Sequence, residues 1–133
     1  MAAERRVINP WSWQDEFGFV QANEVRNIQR MLICAGQAAI DAEGSPLHQG
    51  DMRAQFIEAM DNLETVLREA DFTLSDVMRL NYYTTDVDRF FEVYDVLTSR
   101  LAEAGCRPAS MLVGVARLAY PEMIIEIEAT AVA

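Results

Sequence analysis

Glu126 and Glu128 stand two residues apart in the run Ile124-Ile125-Glu126-Ile127-Glu128-Ala129. On an extended strand that spacing puts both carboxylates on one face, about 7 Å apart. A solvated strand face carries the same pattern, while Ile124 on that face points to a partly covered surface such as a subunit contact. Arg107, just before Pro108, and Arg117 flank the same region. An Arg there could hold a substrate carboxylate through paired hydrogen bonds, and a surface or ion-paired Arg looks the same in sequence. His48, in Pro46-Leu47-His48-Gln49-Gly50, reads more readily as a loop or capping residue than as a catalyst. No nucleophile stands beside a base, so a triad would have to be assembled from distant segments.

Several chemistries are excluded by composition. The 133 residues carry 21 Asp plus Glu against 11 basic residues, for a net charge of −10, and every basic residue is Arg. Without a lysine, neither a side-chain Schiff base nor lysine-held pyridoxal phosphate can form, and a P-loop lacks its phosphate-binding amine. One His leaves no multi-histidine metal site. The isolated glycines, Gly36, Gly44, Gly50, Gly105 and Gly114 among them, make no phosphate-cradling loop. No metal or cofactor is therefore expected. The acidic balance repels nucleic acid and anionic lipid. Cys34 and Cys106, with no CxxC pattern, read as buried thiols in a reducing compartment. With neither a signal-peptide run nor a membrane-length apolar stretch, the expectation is a cytoplasmic, soluble protein.

The length fits one domain over 1–133. Around Pro10, regular helix is impossible, and Trp11 and Trp13 are too large to leave idle in water. Residues 1–16 are expected to form an extended arm folded onto the body. From Asp51 to about Ala70, Met52, Phe56, Ala59, Met60, Leu63, Val66 and Leu67 recur at intervals of three and four, predicting an amphipathic helix. Phe90, Phe91, Tyr94, Leu97 and Leu101 predict a second over about 87–104, with Asp86 as N-cap and Gly105 as a left-handed stop. Strand patterns cover 31–34, 78–83, 110–118 and 123–132, the last two reading as a β-hairpin. In the final strand Ile125, Ile127, Ala129 and Ala131 share one face, and Ile124, Glu126, Glu128 and Thr130 the other. The order of elements predicts an α+β sheet with both helices on one face and the other face bare in a monomer.

From about Gly18 to Val132 the sequence resembles the RidA family, also called YjgF/YER057c/UK114, of enamine/imine deaminases and their relatives. The resemblance is carried by Gly18-Phe19-Val20-Gln21, Ala35-Gly36-Gln37, Gln55, Asn62-Leu63 and Tyr94. Most specific are Arg107-Pro108-Ala109-Ser110, Val115-Ala116-Arg117-Leu118 and Ile125-Glu126-Ile127-Glu128-Ala129. It implies a chorismate-mutase-like fold, a mixed sheet with two helices on one face, and a homotrimer with clefts between subunits. Well-studied members hydrolyse reactive enamines and imines such as 2-aminoacrylate to the ketoacid and ammonia without a cofactor. An Arg after Pro-Ala holds the substrate carboxylate, and the first Glu of Ile-Glu-Ile-Glu positions the water.

Carried over by position, the Glu is Glu126, the implied catalytic residue, but Ser110 occupies the place of the Arg. Phe91 stands where deaminating members have Asn, Ala35 where Ser or Thr is usual, and Phe19 where Tyr is usual. With Gly36 and Leu112 these are the substrate-pocket positions the resemblance implies. Arg107 and Arg117 lie three and seven residues from Ser110, odd separations that point to the opposite face of a regular strand. Loss of the Arg removes charge-assisted bonds worth about 1.5–3 kcal/mol each. The leading expectation is an enamine/imine hydrolase acting at inter-subunit clefts on a relatively apolar small metabolite. The alternative is a non-catalytic metabolite-binding or regulatory trimer. An endoribonuclease role, attached to some family members, is opposed by the −10 charge.

Overall fold

The computed structural model describes residues 3–133. Its longest helix, α1 (Met52–Glu69), follows the three-four spacing: Phe56, Ala59, Met60 and Leu63 are fully buried. Asp51 caps it, its side chain accepting from the Ala54 amide at 3.0 Å. The second predicted helix is two: α2 (Val87–Glu92) and α3 (Tyr94–Ala104). At Val93 the backbone leaves helical geometry (φ −113°, ψ 15°), and its amide bonds back to Phe90. Asp86 caps α2 through the Arg89 amide, and Gly105, at φ +65°, ends α3 as expected.

The strands are β1 (Glu4–Ile8), β2 (Ala22–Arg26), β3 (Met31–Ile33), β4 (Gln37–Ala38), β5 (Val77–Thr84), β6 (Ala109–Gly114) and β7 (Ile125–Val132). The main sheet runs β3-β7-β5-β6, with β4 also on β7. β5 is antiparallel to β7 and parallel to β6, so the sheet is mixed and α2 and α3 form the crossover between its parallel strands. The expected hairpin between the last two strands is thereby corrected. Parallel pairing of β6 leaves it at the edge, and β5 inserts between β6 and β7. Both strands are also shorter than predicted, because the chain between Gly114 and Ile125 loops across the sheet end.

The parity of β7 holds. Ile125, Ile127, Ala129 and Ala131 are buried beneath the helices, while Glu126, Glu128 and Thr130 are half-buried on the other face. In β5 a bulge at Met78 shifts the register between Val77 and Arg79. Val77 is therefore fully buried while Met78 is only half-buried at the bulge. Leu80, Tyr82, Phe90, Leu97 and Leu101 complete the core.

The N-terminal arm is not simply extended. β1 pairs with β2 in a separate two-stranded sheet, and Asp15–Phe17 make one 3-10 turn. The residues at 1 and 2 lie outside the described residues. Trp11 and Trp13 remain 61% and 59% exposed, against the expectation that both would be packed away. The segment is held by polar bonds instead. Buried Gln14 donates to the Trp11 carbonyl (2.8 Å) and accepts from Gln21 (3.0 Å), and Asn9 accepts from the Gln21 amide.

Candidate functional site

Residues directly paired across a sheet point to the same face. Leu80 pairs with Ser110 and Ala129, and Tyr82 with Leu112 and Ile127. Ser110 and Leu112 therefore lie on the helix-covered side. Tyr83 pairs with Glu126 and Asn81 with Glu128, which puts both carboxylates on the open side. The sequence-predicted site residues thus fall into two groups on opposite faces of one sheet.

On the helix side, Phe19, Phe91, Ser110 and Leu112 come together with Trp13, Phe17, Tyr82 and Tyr94 around a cavity of about 260 Å³. Phe91 is half-exposed at the mouth. The Tyr94 hydroxyl donates to the Phe17 carbonyl at 2.9 Å, tying α3 to the N-terminal segment. Trp13 and Phe19 pack edge to face with centroids 5.8 Å apart, as do Phe17 and Tyr94 at 5.9 Å. Burial pushes the Tyr94 hydroxyl up to about 12 and raises Tyr82 as well, so both stay neutral donors. Ser110 Oγ is buried, and among the described residues no partner meets strict hydrogen-bond geometry with it; its polar neighbour is the Tyr82 hydroxyl, whose interaction with Ser110 opposes part of the rise that burial imposes on Tyr82. Among the described residues no charged side chain lines this cavity. Neither Arg107 nor Arg117 replaces a carboxylate clamp here: both are exposed outside the strands.

On the open side, Glu126 sits against Gly36. A methyl carbon at position 36 would overlap Glu126 Oε2 and lie 2.8 Å from its Cδ, so only glycine admits this approach without displacing the carboxylate. Both ends of the contact are anchored by α1. Asn62 donates to the Ala38 and Ile40 carbonyls at 2.8 and 3.0 Å, holding β4 and the Gly36 turn. Gln55, 1% exposed, donates to the Glu122 carbonyl and accepts from the Ile124 amide, aligning the entry to β7. Ala35 is exposed beside Gly36.

The two glutamates are driven apart electrostatically. Burial, then the neighbouring Glu128 charge, raises the Glu126 carboxyl above its usual range. Glu128 accepts from the Tyr83 hydroxyl at 2.5 Å and from Asn81 at 3.3 Å, and these bonds hold it below the usual range. One carboxyl that protonates easily beside one that stays ionised can carry a proton without competing for it.

Sequence reasoning missed Trp13, Phe17, Tyr82 and Tyr94 as cavity residues. For two of them a signal existed: Tyr82 shares the inward parity of Leu80, and Tyr94 stands three residues after Phe91 on the same helical stretch. Trp13 and Phe17 had none, since their place depends on the β1–β2 pairing.

A two-faced mixed sheet, with helices on one side and a carboxylate seated against a glycine on the other, defines a class of small α+β proteins. Residues 16–133 match the family model described as Endoribonuclease L-PSP. The chain is 32% identical over 113 residues to a RutC family protein of Pyrococcus abyssi, covering 85% of this chain and 84% of the relative. Among solved structures, YyfB of Yersinia pestis, described as a protein of unknown function of the conserved Rid family, is 37% identical with a TM-score of 0.86 over 97% of this chain and 98% of that one. The YjgF gene product of Escherichia coli is 28% identical with a TM-score of 0.70, covering 86% and 87%. The chain belongs to the RidA/YjgF family and has its chorismate-mutase-like fold. Among the described residues no helix is long and apolar enough to cross a membrane.

Proposed function

We propose that the protein hydrolyses a small, relatively apolar enamine or imine, with Glu126 moving the proton, in clefts formed between subunits of a homotrimer. The observation that carries this reading is the half-buried Glu126 carboxyl, seated against Gly36 on a sheet face that no helix covers. That face also carries Ile33, 77% exposed, and Met111, 59% exposed, which favours its burial against further copies of the chain. Assembly is what would bring one chain's aromatic cavity toward another chain's Glu126.

In this reaction a water adds to the iminium carbon as Glu126 takes its proton. The protonated Glu126 returns that proton to nitrogen; as the carbon–nitrogen bond breaks, the again ionised Glu126 takes the remaining hydroxyl proton of the adduct, and ammonia leaves with a ketone or aldehyde as the other product. An enamine first accepts a proton at its β-carbon. No redox step or cofactor enters. The two buried free thiols favour a reducing, cytoplasmic setting.

Ketone and ammonia release from imines with and without a carboxylate tests the reading, with 2-aminoacrylate generated by a dehydratase. Uncharged imines should be hydrolysed faster than 2-aminoacrylate, and Glu126→Gln should lower the rate on the order of 100-fold or more. No acceleration over buffer for any imine overturns it. Sedimentation should show three chains per particle, reduced to one in Ile33→Glu; a wild-type monomer refutes the assembly.

One observation favours a second reading, a non-catalytic metabolite-binding trimer: within a chain, Ser110 and Glu126 lie on opposite faces. Ligand-induced rises in melting temperature with no imine turnover would support it. Ribonuclease action is disfavoured by the −10 charge.

A further inference from the structure

Among the described residues, six aromatic side chains wall the cavity on the helix side, and none of the lining residues is charged. An anion entering it would give up its hydration with no counter-charge to meet it, and for a cation the attraction of the ring faces offsets only part of the same cost. A flat ring, in contrast, finds rings to stack on or meet edge to face. The volume, about 260 Å³, exceeds the roughly 150 Å³ cavity that takes up benzene, leaving room for one ring or two fused rings. The polar demand inside is equally specific. Among the described residues Ser110 Oγ is buried with no partner in strict hydrogen-bond geometry, the Tyr82 hydroxyl being its one polar neighbour, while the Tyr94 hydroxyl is already spent on Phe17. A buried hydroxyl without a partner is costly, and a ligand that supplies one relieves that cost.

The chain's own N-terminal segment shapes this wall. Trp13 precedes the stretch that matches the family, residues 16–133. It is brought to the cavity by the β1–β2 pairing and by Gln14, which is fully buried and bonded to the Trp11 carbonyl.

We infer that this cavity binds an uncharged, planar aromatic molecule of one or two rings, its ring against Trp13 and Phe91 and one hydroxyl, carbonyl or N–H group bonded to Ser110 Oγ. The inference names the ligand class for the proposed apolar-substrate site and rests on that reading for turnover, whereas binding itself is independent of Glu126.

Calorimetry and ligand-observed NMR on the full chain test it with phenol and indole as neutral probes, toluene as the neutral probe lacking a polar group, benzoate as the anion and benzylamine as the cation. Phenol and indole should bind saturably, and benzoate and benzylamine at least tenfold more weakly. Ser110→Ala should weaken phenol about three- to tenfold and leave toluene unchanged. Trp13→Ala should weaken all three neutral probes, and Trp11→Ala none, since Trp11 does not line the cavity. Ser110→Arg should reverse the preference toward benzoate. Benzoate or benzylamine binding as tightly as phenol overturns the inference, and so does the absence of saturable neutral binding, as a cavity filled by a neighbouring copy would give. Phenol bound equally by wild type and Glu126→Gln, with no imine hydrolysed, upholds the inference and removes the hydrolase reading. Hydrolysis of carboxylate-bearing imines with no neutral aromatic bound does the reverse.

Discussion

Gly36→Ala separates the position of Glu126 from its chemistry. The added methyl would overlap Glu126 Oε2 and stand 2.8 Å from Cδ, where ordinary contact begins near 3.4 Å. The backbone at Gly36 is not in the left-handed region, and the residue is exposed, so the flexible carboxylate gives way rather than the strand. Loss of backbone freedom in the unfolded chain should keep the stability within about 1 kcal/mol of wild type. The Glu126 carboxyl must retreat by the better part of an ångström or more, and if it moves the proton as proposed, misplacement of about 1 Å can cost on the order of 100-fold in rate. Two measurements check this. Imine hydrolysis should fall by about that factor while the unfolding midpoint barely moves. Carbon-detected NMR titration should find the Glu126 midpoint above the ordinary Glu value in wild type and closer to it in the variant, because the displaced carboxylate gains water. Unchanged rate and unchanged midpoint would refute the argument that Gly36 sets the carboxylate's place.

Three further outcomes follow from the packing and the charges. Leu63→Ala, at a fully buried position, should lower stability by about 2–5 kcal/mol in urea unfolding without changing the fold. Gln55→Ala strands the Ile124 amide and the Glu122 carbonyl, and should cost about 2–4 kcal/mol; a loss under 1 kcal/mol would mean that water replaces the amide. The raised Glu126 carboxyl makes the folded chain bind its proton more readily than the unfolded chain. Stability should therefore fall as pH rises from about 4.3, the ordinary Glu value, through the raised folded value, and Glu126→Gln should flatten that fall in pH-dependent urea unfolding. A wild-type-minus-variant difference that is constant with pH contradicts the assigned direction.

Local patterns carried much of this architecture. The spacing of Phe56, Met60, Leu63 and Leu67 specifies α1 because 3.6-residue periodicity leaves one apolar stripe to bury. The alternation through Ile125, Glu126, Ile127 and Glu128 specifies which side of β7 is inside, since parity needs no partner strand. Asp86 and Gly105 mark the ends of the second helical stretch by their own backbone and capping chemistry. Yet the break at Val93 was hidden, because Phe90 to Leu101 keep one apolar face on either side of it.

Strand order was not legible. A hairpin of the last two strands and a sheet with β5 between them satisfy the same local alternation, and only burial of β5 on both edges decides between them. The candidate site followed the same division. Residue types at Glu126, Ser110, Phe19 and Phe91 were readable from the sequence, as was the fact that every basic residue is Arg. That Glu126 and Ser110 lie on opposite faces depends on their registers with β5, a relation between strands remote in sequence. The seating of Glu126 on Gly36 and the Trp13 wall are likewise contacts across the fold. Sequence by itself determined which side chains are available and which face each turns to within its own element. Tertiary structure alone decided which of them meet, because pairing across strands is set by the summed burial of the whole sheet rather than by any neighbour in the chain.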